Sequence, residues 1–289
     1  MTVHAHPDDE SSKGASTVAR YHTEGVQTVL VCCTGGEEGD ILNPALDIPQ
    51  VRKNIAEVRR EELQNAAKII GYDQVVMLGY RDSGMDGTPE NQNPNCFARA
   101  DLDEAVGRLV AEIRKYRPHV VVTYDEEQSG YPHPDHLRVH EISVIAFDAA
   151  GDANKYQGVG APWQPLKLYY TVWSMTRLKA MHNKFIELGK ESPFDDKWFN
   201  RPSREDTITT SIDIAEFHQI RNKALREHRT QIDETSSFWF GLPDEIAKTV
   251  HPYDDYALAK TIIGEVALNR GLSERESDLF EGIREPAKN

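Results

Sequence analysis

The chain reads as an α/β protein built on a doubly wound, mostly parallel sheet with helices on both faces and a C-terminal elaboration. Three observations predict it. Short, nearly continuous apolar runs recur at 26–33, 75–78 and 120–124, as expected of strands buried on both faces. Amphipathic stretches with helical spacing separate them. The two clusters richest in His and Asp, at 6–10 and 131–136, each follow a strand, where ligands bind in such sheets. Together these features describe a Rossmann-like sheet.

The elements follow in order. The polar cluster begins so early that the first strand has room for only about four residues, against a usual five or six, and is expected to be stunted at its start. Gly14–Glu24 is long enough for a short crossover helix, and Val26–Cys33 is the second strand. Residues 34–40 form a flexible Gly-rich loop. Val51, Ile55, Val58, Ala66 and Ile70 among charges predict one amphipathic helix over 50–70, capped by Gly71. The third strand at Val75–Leu78 leads into a long loop, Gly79–Asn95. Leu102, Ala105, Val106, Leu109, Val110 and Ile113 place a helix over 101–116, and Val120–Tyr124 is a strand.

Beyond residue 150 the pattern loosens. A loop to Pro165, a strand at Leu168–Trp173, helices over 174–189 and 215–229, an irregular 194–206 and a further helix over 256–272 are expected. No linker interrupts the chain, so 1–289 reads as one domain, with the Rossmann-like core in 1–150 and the elaboration in 151–289.

Composition excludes several partner classes. The 33 basic and 47 acidic residues leave a net charge of −14, a poor surface for nucleic acid. Mean hydropathy is −0.59, and no apolar stretch approaches a membrane span. With no basic segment followed by an apolar core at its opening, no signal peptide is expected, and three cysteines, two adjacent at Cys32 and Cys33, argue against a disulfide framework. A reducing, cytoplasmic setting is expected. An oligomer is compatible with this composition.

His6, Asp8 and Asp9 lie within four residues on a turn, so an imidazole and a carboxylate can reach one cation while the second carboxylate faces its water. The plainer alternative is that Asp8–Glu10 caps a helix. Tyr131-Pro132-His133-Pro134-Asp135-His136 supplies two further imidazoles three residues apart, or merely a surface loop in a chain that also carries His140. Combined, the clusters provide His, Asp and His with an open fourth position, the pattern of catalytic zinc. Zn²⁺ lowers the pKa of its water and polarises a carbonyl, and the left-over carboxylate, imidazole and phenol suit proton transfer in amide hydrolysis. The same donors also suit Fe²⁺, Mn²⁺ or Co²⁺.

On these residues the sequence resembles the LmbE-like (PIG-L) family of zinc amidohydrolases, which act on N-acylated glucosamine conjugates. The likeness rests on Ala5–Glu10 and His133–His136, and extends through Cys33–Glu37, Arg59–Leu63 and Arg81–Met85. It implies His6, Asp9 and His136 as zinc ligands and Asp8 as general base. It implies His133 as general acid or oxyanion stabiliser, helped by Tyr131. Arg59 and Asp82 would hold sugar or inositol hydroxyls.

Within the family, Glu10–Ala15, Ile41–Ala45 and His228–Asp233 look like the branch that cleaves thiol conjugates of glucosaminyl-inositol. Its Lys13 replaces a Ser of the branch that removes acetyl groups, and would contact the acyl or thiol-conjugate side of a small-molecule substrate. Simpler roles compete: a solvated helix Lys for Lys13, an i,i+3 pair with Glu62 for Arg59, and a turn residue for Asp82. Phe238, Trp239 and Phe240 could cover the S-linked group, but core packing explains them better. The acetyl-removing branch and a binding protein without turnover are the rival functions. A dinucleotide-binding oxidoreductase fails because Gly35-Gly36 has the wrong glycine spacing.

Overall fold

A computed structural model describes residues 1–127, 132–264 and 271–284. In chain order its elements are β1 (Thr2–His4), α1 (Asp9–Ser12), α2 (Ala15–Thr23), β2 (Val29–Thr34), α3 (Pro49–Lys53), α4 (Ile55–Ile70), β3 (Gln74–Tyr80), α5 (Leu102–Tyr116), β4 (Val120–Thr123) and α6 (Pro134–Ala149). β5 (Lys167–Val172), α7 (Met175–Glu187), α8 (Asp196–Phe199), β6 (Thr210–Asp213), α9 (His218–Leu225), α10 (Ser237–Phe240), α11 (Asp244–Val250) and β7 (Tyr253–Thr261) follow.

The seven strands form one sheet in the order β3-β2-β1-β4-β5-β7-β6. The first five are parallel, and β7 pairs antiparallel with both β5 and β6. The α/β, mostly parallel architecture is as expected. β1 has only three residues, yet it is buried between β2 and β4, with Thr2 opposite both Leu30 and Val122. One face of the sheet is covered by α5 and α6, whose Leu109, Ile113 and Ile142 pack on Val3, Val31 and Val121. On the other, Ala15 and Val18 of α2 meet Ala66 and Ile70 of α4 and Ala224 of α9. The chain winds outward in both directions from β1 and β4, so the crevice between their carboxyl ends is a topological switch point.

Local chemistry fixes the boundaries. Asp101 caps α5 by accepting from the Glu104 N–H, and Gly71 ends α4 in the left-handed region at φ 94. The single helix expected over 50–70 breaks at Asn54 into α3 and α4. The 215–229 helix contracts to α9. α6 and β6 carry no prediction from the sequence. The helix expected over 256–272 is wrong: 253–261 is strand β7, and 265–270 lie outside the described residues. Its Ala, Leu and Lys residues favour a helix, but β7 is held on both edges. Tyr256 and Leu258 pack into one face and Ala257 into the other, so tertiary pairing overrides propensity.

Candidate active site

The loops after β1 and β4 meet at the switch point, and both polar clusters lie on them. Asp8 adopts φ 112, a strained conformation for a residue with a side chain. Its N–H donates to Glu10 Oε2 at 2.9 Å, which braces the turn. The turn carries Asp9 back into the crevice, where its Oδ2 accepts from the His6 N–H at 3.0 Å. That oxygen lies 3.2 Å from His136 Nε2 and 3.6 Å from His6 Nδ1. The donor atoms of His6, Asp9 and His136 all fall within 4.8 Å of one another and are buried, so they could hold a metal ion. His6, Asp82 and His133 form a second such group.

The imidazoles are held in fixed orientations. His6 Nε2 is 3.2 Å from Asp135 Oδ2, and the fully buried Asp135 is anchored by the Ser83 N–H at 2.9 Å and by the Ser83 hydroxyl. A carboxylate behind an imidazole is the usual support of a metal-facing His. His136 stacks on Tyr124, ring centres 4.6 Å apart. The Tyr124 hydroxyl accepts from the Ala5 N–H and meets His4 Nδ1, both at 3.0 Å. His133 caps α6: its Nδ1 accepts from the Asp135 N–H at 3.2 Å, so the neutral ring carries its proton on Nε2.

The electrostatics follow from four acidic side chains around three imidazoles. Burial opposes a charged His6, but Asp82, Asp135 and Asp9 outweigh it and raise its pKa well above the ordinary value. Burial also opposes an ionised Asp9, yet His136, Lys13 and His6 hold it well below the carboxylate range. Burial, with His6 and His136 as neighbours, pushes His133 down to about 3. Burial and Asp9 raise Asp8 against the pull of Arg59. The pocket is rich in buried carboxylates, and a divalent cation on the His–Asp–His donors fits its ligand chemistry.

The three residues expected to bind substrate all line the cleft, in more constrained roles than anticipated. Lys13 is not a solvated lysine, because its Nζ pairs with Asp9 Oδ1 at 2.5 Å. Arg59 is buried and does not pair with Glu62, which instead accepts from the Thr230 N–H and hydroxyl at 2.9 and 2.7 Å. Arg59 donates to Pro7 O at 2.5 Å, to Asp8 Oδ2 at 3.0 Å and to Gly36 O. Gly36 is required there, since a Cβ would overlap the guanidinium. Asp82 fits the turn role: its Oδ1 accepts from the Gly84 N–H at 2.9 Å, and the same oxygen lies 3.5 Å from His6 Nε2. Tyr131 lies outside the described residues.

From this polar floor a cleft of about 600 Å³ opens toward an aromatic wall of Trp173, Trp198, Phe238 and Trp239. Trp173 and Phe238 are parallel with centres 5.6 Å apart. The core packing expected of α10 holds for Phe238, which joins the cluster of Leu178, Phe185, Phe194 and Leu242, and a cleft-facing role is added to it. Phe238 does pack against Phe194, but none of α10 is fully buried, and both Phe238 and Trp239 face the cleft. Asp135, Ser83 and Tyr124 carry no role in the sequence reading; Asp135 and Ser83 lie inside the family-like segments His133–His136 and Arg81–Met85, and Tyr124 only ends a strand. Cys32, Cys33 and Cys96 are buried free thiols.

Similarity to known proteins agrees with this geometry. A Streptomyces coelicolor protein named mycothiol S-conjugate amidase is 47% identical over 99% of this chain and 98% of its own. A Streptomyces avermitilis protein named 1D-myo-inositol 2-acetamido-2-deoxy-alpha-D-glucopyranoside deacetylase is 39% identical over 98% of this chain and 96% of its own. The N,N'-diacetylchitobiose deacetylase from Pyrococcus horikoshii shares the fold, with a TM-score of 0.61 at 17% identity over 89% of this chain and 82% of that one. The family profile described as "PIG-L: GlcNAc-PI de-N-acetylase" matches residues 1–147. With its whole-length likeness to an amidase and to a deacetylase, the chain belongs to the PIG-L family and is a carbon–nitrogen hydrolase.

Proposed function

We propose that this hydrolase cleaves the amide of mycothiol S-conjugates, releasing an N-acetylcysteine S-conjugate and glucosaminyl-inositol in cytoplasmic thiol detoxification. One Zn²⁺ would be held by His6, Asp9 and His136. The observation that carries the choice of substrate is the cleft. Its aromatic wall of Trp173, Trp198, Phe238 and Trp239 faces the His–Asp cluster across about 600 Å³. An acetyl group needs no such wall, whereas a cysteine adduct with an apolar S-substituent would bury that substituent against it.

The metal, when bound, supplies Lewis-acid activation of water and of the amide carbonyl. Asp8 takes the proton of the attacking water, and Arg59 fixes the position of that carboxylate through its 3.0 Å contact. His133 presents Nε2–H to the oxyanion that develops on the carbonyl oxygen, with Tyr131 assigned to the same task. The proton that Asp8 has taken up then passes to the departing glucosamine nitrogen. Lys13 is assigned to the acyl side of the substrate, and Asp82 and Arg59 to its sugar and inositol hydroxyls; all three line the cleft.

The deacetylase reading uses the same machinery and draws on the 39% relative. Comparing kcat/KM for a mycothiol bimane adduct and for N-acetylglucosaminyl-inositol separates the two. A preference of about tenfold or more for the adduct supports the amidase, and a preference for the acetylated sugar rejects it.

A further inference from the structure

Behind the aromatic wall, away from the His–Asp cluster, lies a second cavity of about 20 Å³. That is room for a single small guest, since a water needs roughly 10–15 Å³ on this measure. Two guanidiniums converge on it, Arg177 from α7 and Arg221 from α9. Their carbons lie 5.0 and 5.4 Å from the centre of the same Trp173 ring, and Arg221 is also 5.1 Å from that of Trp239.

Arg221 is 8% exposed, and among the described residues nothing accepts from its Nε or Nη2. Nδ1 of His218, which lines the same cavity, is likewise unpartnered there. Burial and Arg177 push Arg221 down to about 9, so it remains charged at neutral pH. The carboxylates nearby do not neutralise both cations. Asp254 lies 3.6 Å from Arg177 and already accepts from the Thr17 hydroxyl at 2.8 Å. Asp244 is engaged by Asn222, and Asp255 by His251 and Ser211. Among the described residues only Asp254 lies within ion-pairing distance of either guanidinium, and two N–H groups of Arg221 lack acceptors. A buried charge left unpaired is strongly destabilising. A neutral water could accept from both N–H groups but would leave the charge.

We propose that this cavity binds one small monovalent anion of chloride size, held by Nε and Nη2 of Arg221 with Arg177 as the second positive wall. Trp173, Phe238 and Trp239 lie between it and the cleft, so the anion would stiffen the rear of the aromatic wall.

The test uses the metal-loaded full chain. Thermal midpoints are measured in sodium chloride, bromide and gluconate at constant ionic strength, and crystals grown with bromide are examined for an anomalous peak. For a Kd near ~10 mM, 100 mM halide raises the midpoint by about 3 °C over gluconate. Arg221→Met should abolish that rise. A bromide peak within hydrogen-bonding distance of Arg221, together with the halide-specific rise, supports the site. Equal midpoints in halide and gluconate, or a cavity without anomalous signal, overturns it. Both wild-type measurements stand even if Arg221→Met fails to fold.

Discussion

Removing the imidazole of His228 isolates the contribution of a group that never touches the cleft. Glu10 Oε1 and His228 Nε2 are 2.7 Å apart, with both side chains 0% exposed. The same carboxylate accepts from the Ser11 hydroxyl at 2.5 Å and braces the strained Asp8 turn through the Asp8 N–H. His228→Leu keeps most of the volume but leaves a buried carboxylate without its counter-charge, which costs about 3–5 kcal/mol. At about 2–3 °C per kcal/mol in a chain this long, the midpoint should fall by roughly 6–15 °C. The double variant Glu10→Gln/His228→Leu should recover about 2 kcal/mol of the loss, as expected of groups in direct contact. The pH dependence has a definite sign. Burial lowers the His228 pKa, but Glu10 outweighs it and raises the folded value above 6.5. The contribution of His228 is therefore complete below 6.5 and is lost as pH rises through the folded value. Burial raises Glu10, but His228, Ser11 and the Asp8 N–H outweigh it and lower the folded value below 4.5. The contribution of Glu10 is present above 4.5 and is lost as pH falls through the folded value. Urea unfolding of the metal-loaded protein, followed by tryptophan fluorescence from pH 5.5 to 9.5, measures the difference between wild type and His228→Leu. It should be largest near the acid end and shrink as pH rises. A difference below about 1 kcal/mol at pH 6.5, or one that grows with pH, would refute the buried ion pair.

Asp8→Ala should lower kcat by about 10²–10⁴-fold while metal content, measured by mass spectrometry, stays at the wild-type level. Metal loss would instead make Asp8 a ligand. Gly36→Ala drives a methyl into the Arg59 guanidinium, so Asp8 loses its clamp. We expect kcat to fall about tenfold or more with a much smaller change in KM, and an unchanged kcat would show that Arg59 does not position Asp8. Trp239→Ala should reduce kcat/KM for a bimane adduct by about tenfold and for an S-methyl adduct by less than about threefold. Equal losses on both adducts would remove the S-substituent from the aromatic wall.

The fold was legible in the sequence wherever a strand is buried on both faces and a helix is amphipathic. Val29–Thr34 and Val120–Thr123 are nearly pure apolar runs, and α5 shows its stripe together with its Asp101 cap. Legibility failed at the antiparallel end of the sheet. β7 presents Asp254 and Asp255 at its start and Ala, Leu and Lys later, so no period-2 pattern survives. Its identity comes from β5 and β6, whose paired residues lie 40 or more positions away in sequence. α3 and α4 show the opposite error. Their apolar positions continue in helical phase, and only the backbone of Asn54 breaks them.

The site divides along the same physical line. The groups assigned to chemistry sit in two short segments, because a sharp turn after β1 and a helix start after β4 deliver several side chains at once to the switch point. Proximity in sequence therefore marked His6, Asp8, Asp9, His133 and His136. The supports work across distance: Asp135 reaches His6 over 129 positions, Ser83 reaches Asp135 over 52, and His228 reaches Glu10 over 218. No local pattern encodes such pairs, since each partner alone looks like an ordinary polar residue. Arg59 lies between the two classes. Its motif was visible, but only the backbone carbonyls of Pro7 and Gly36 show where its donors point, and they fix it beside Asp8. A substitution scan limited to the two motifs would therefore find the residues assigned to the reaction. It would miss Ser83 and His228, whose loss should appear first as weaker metal binding or lower stability.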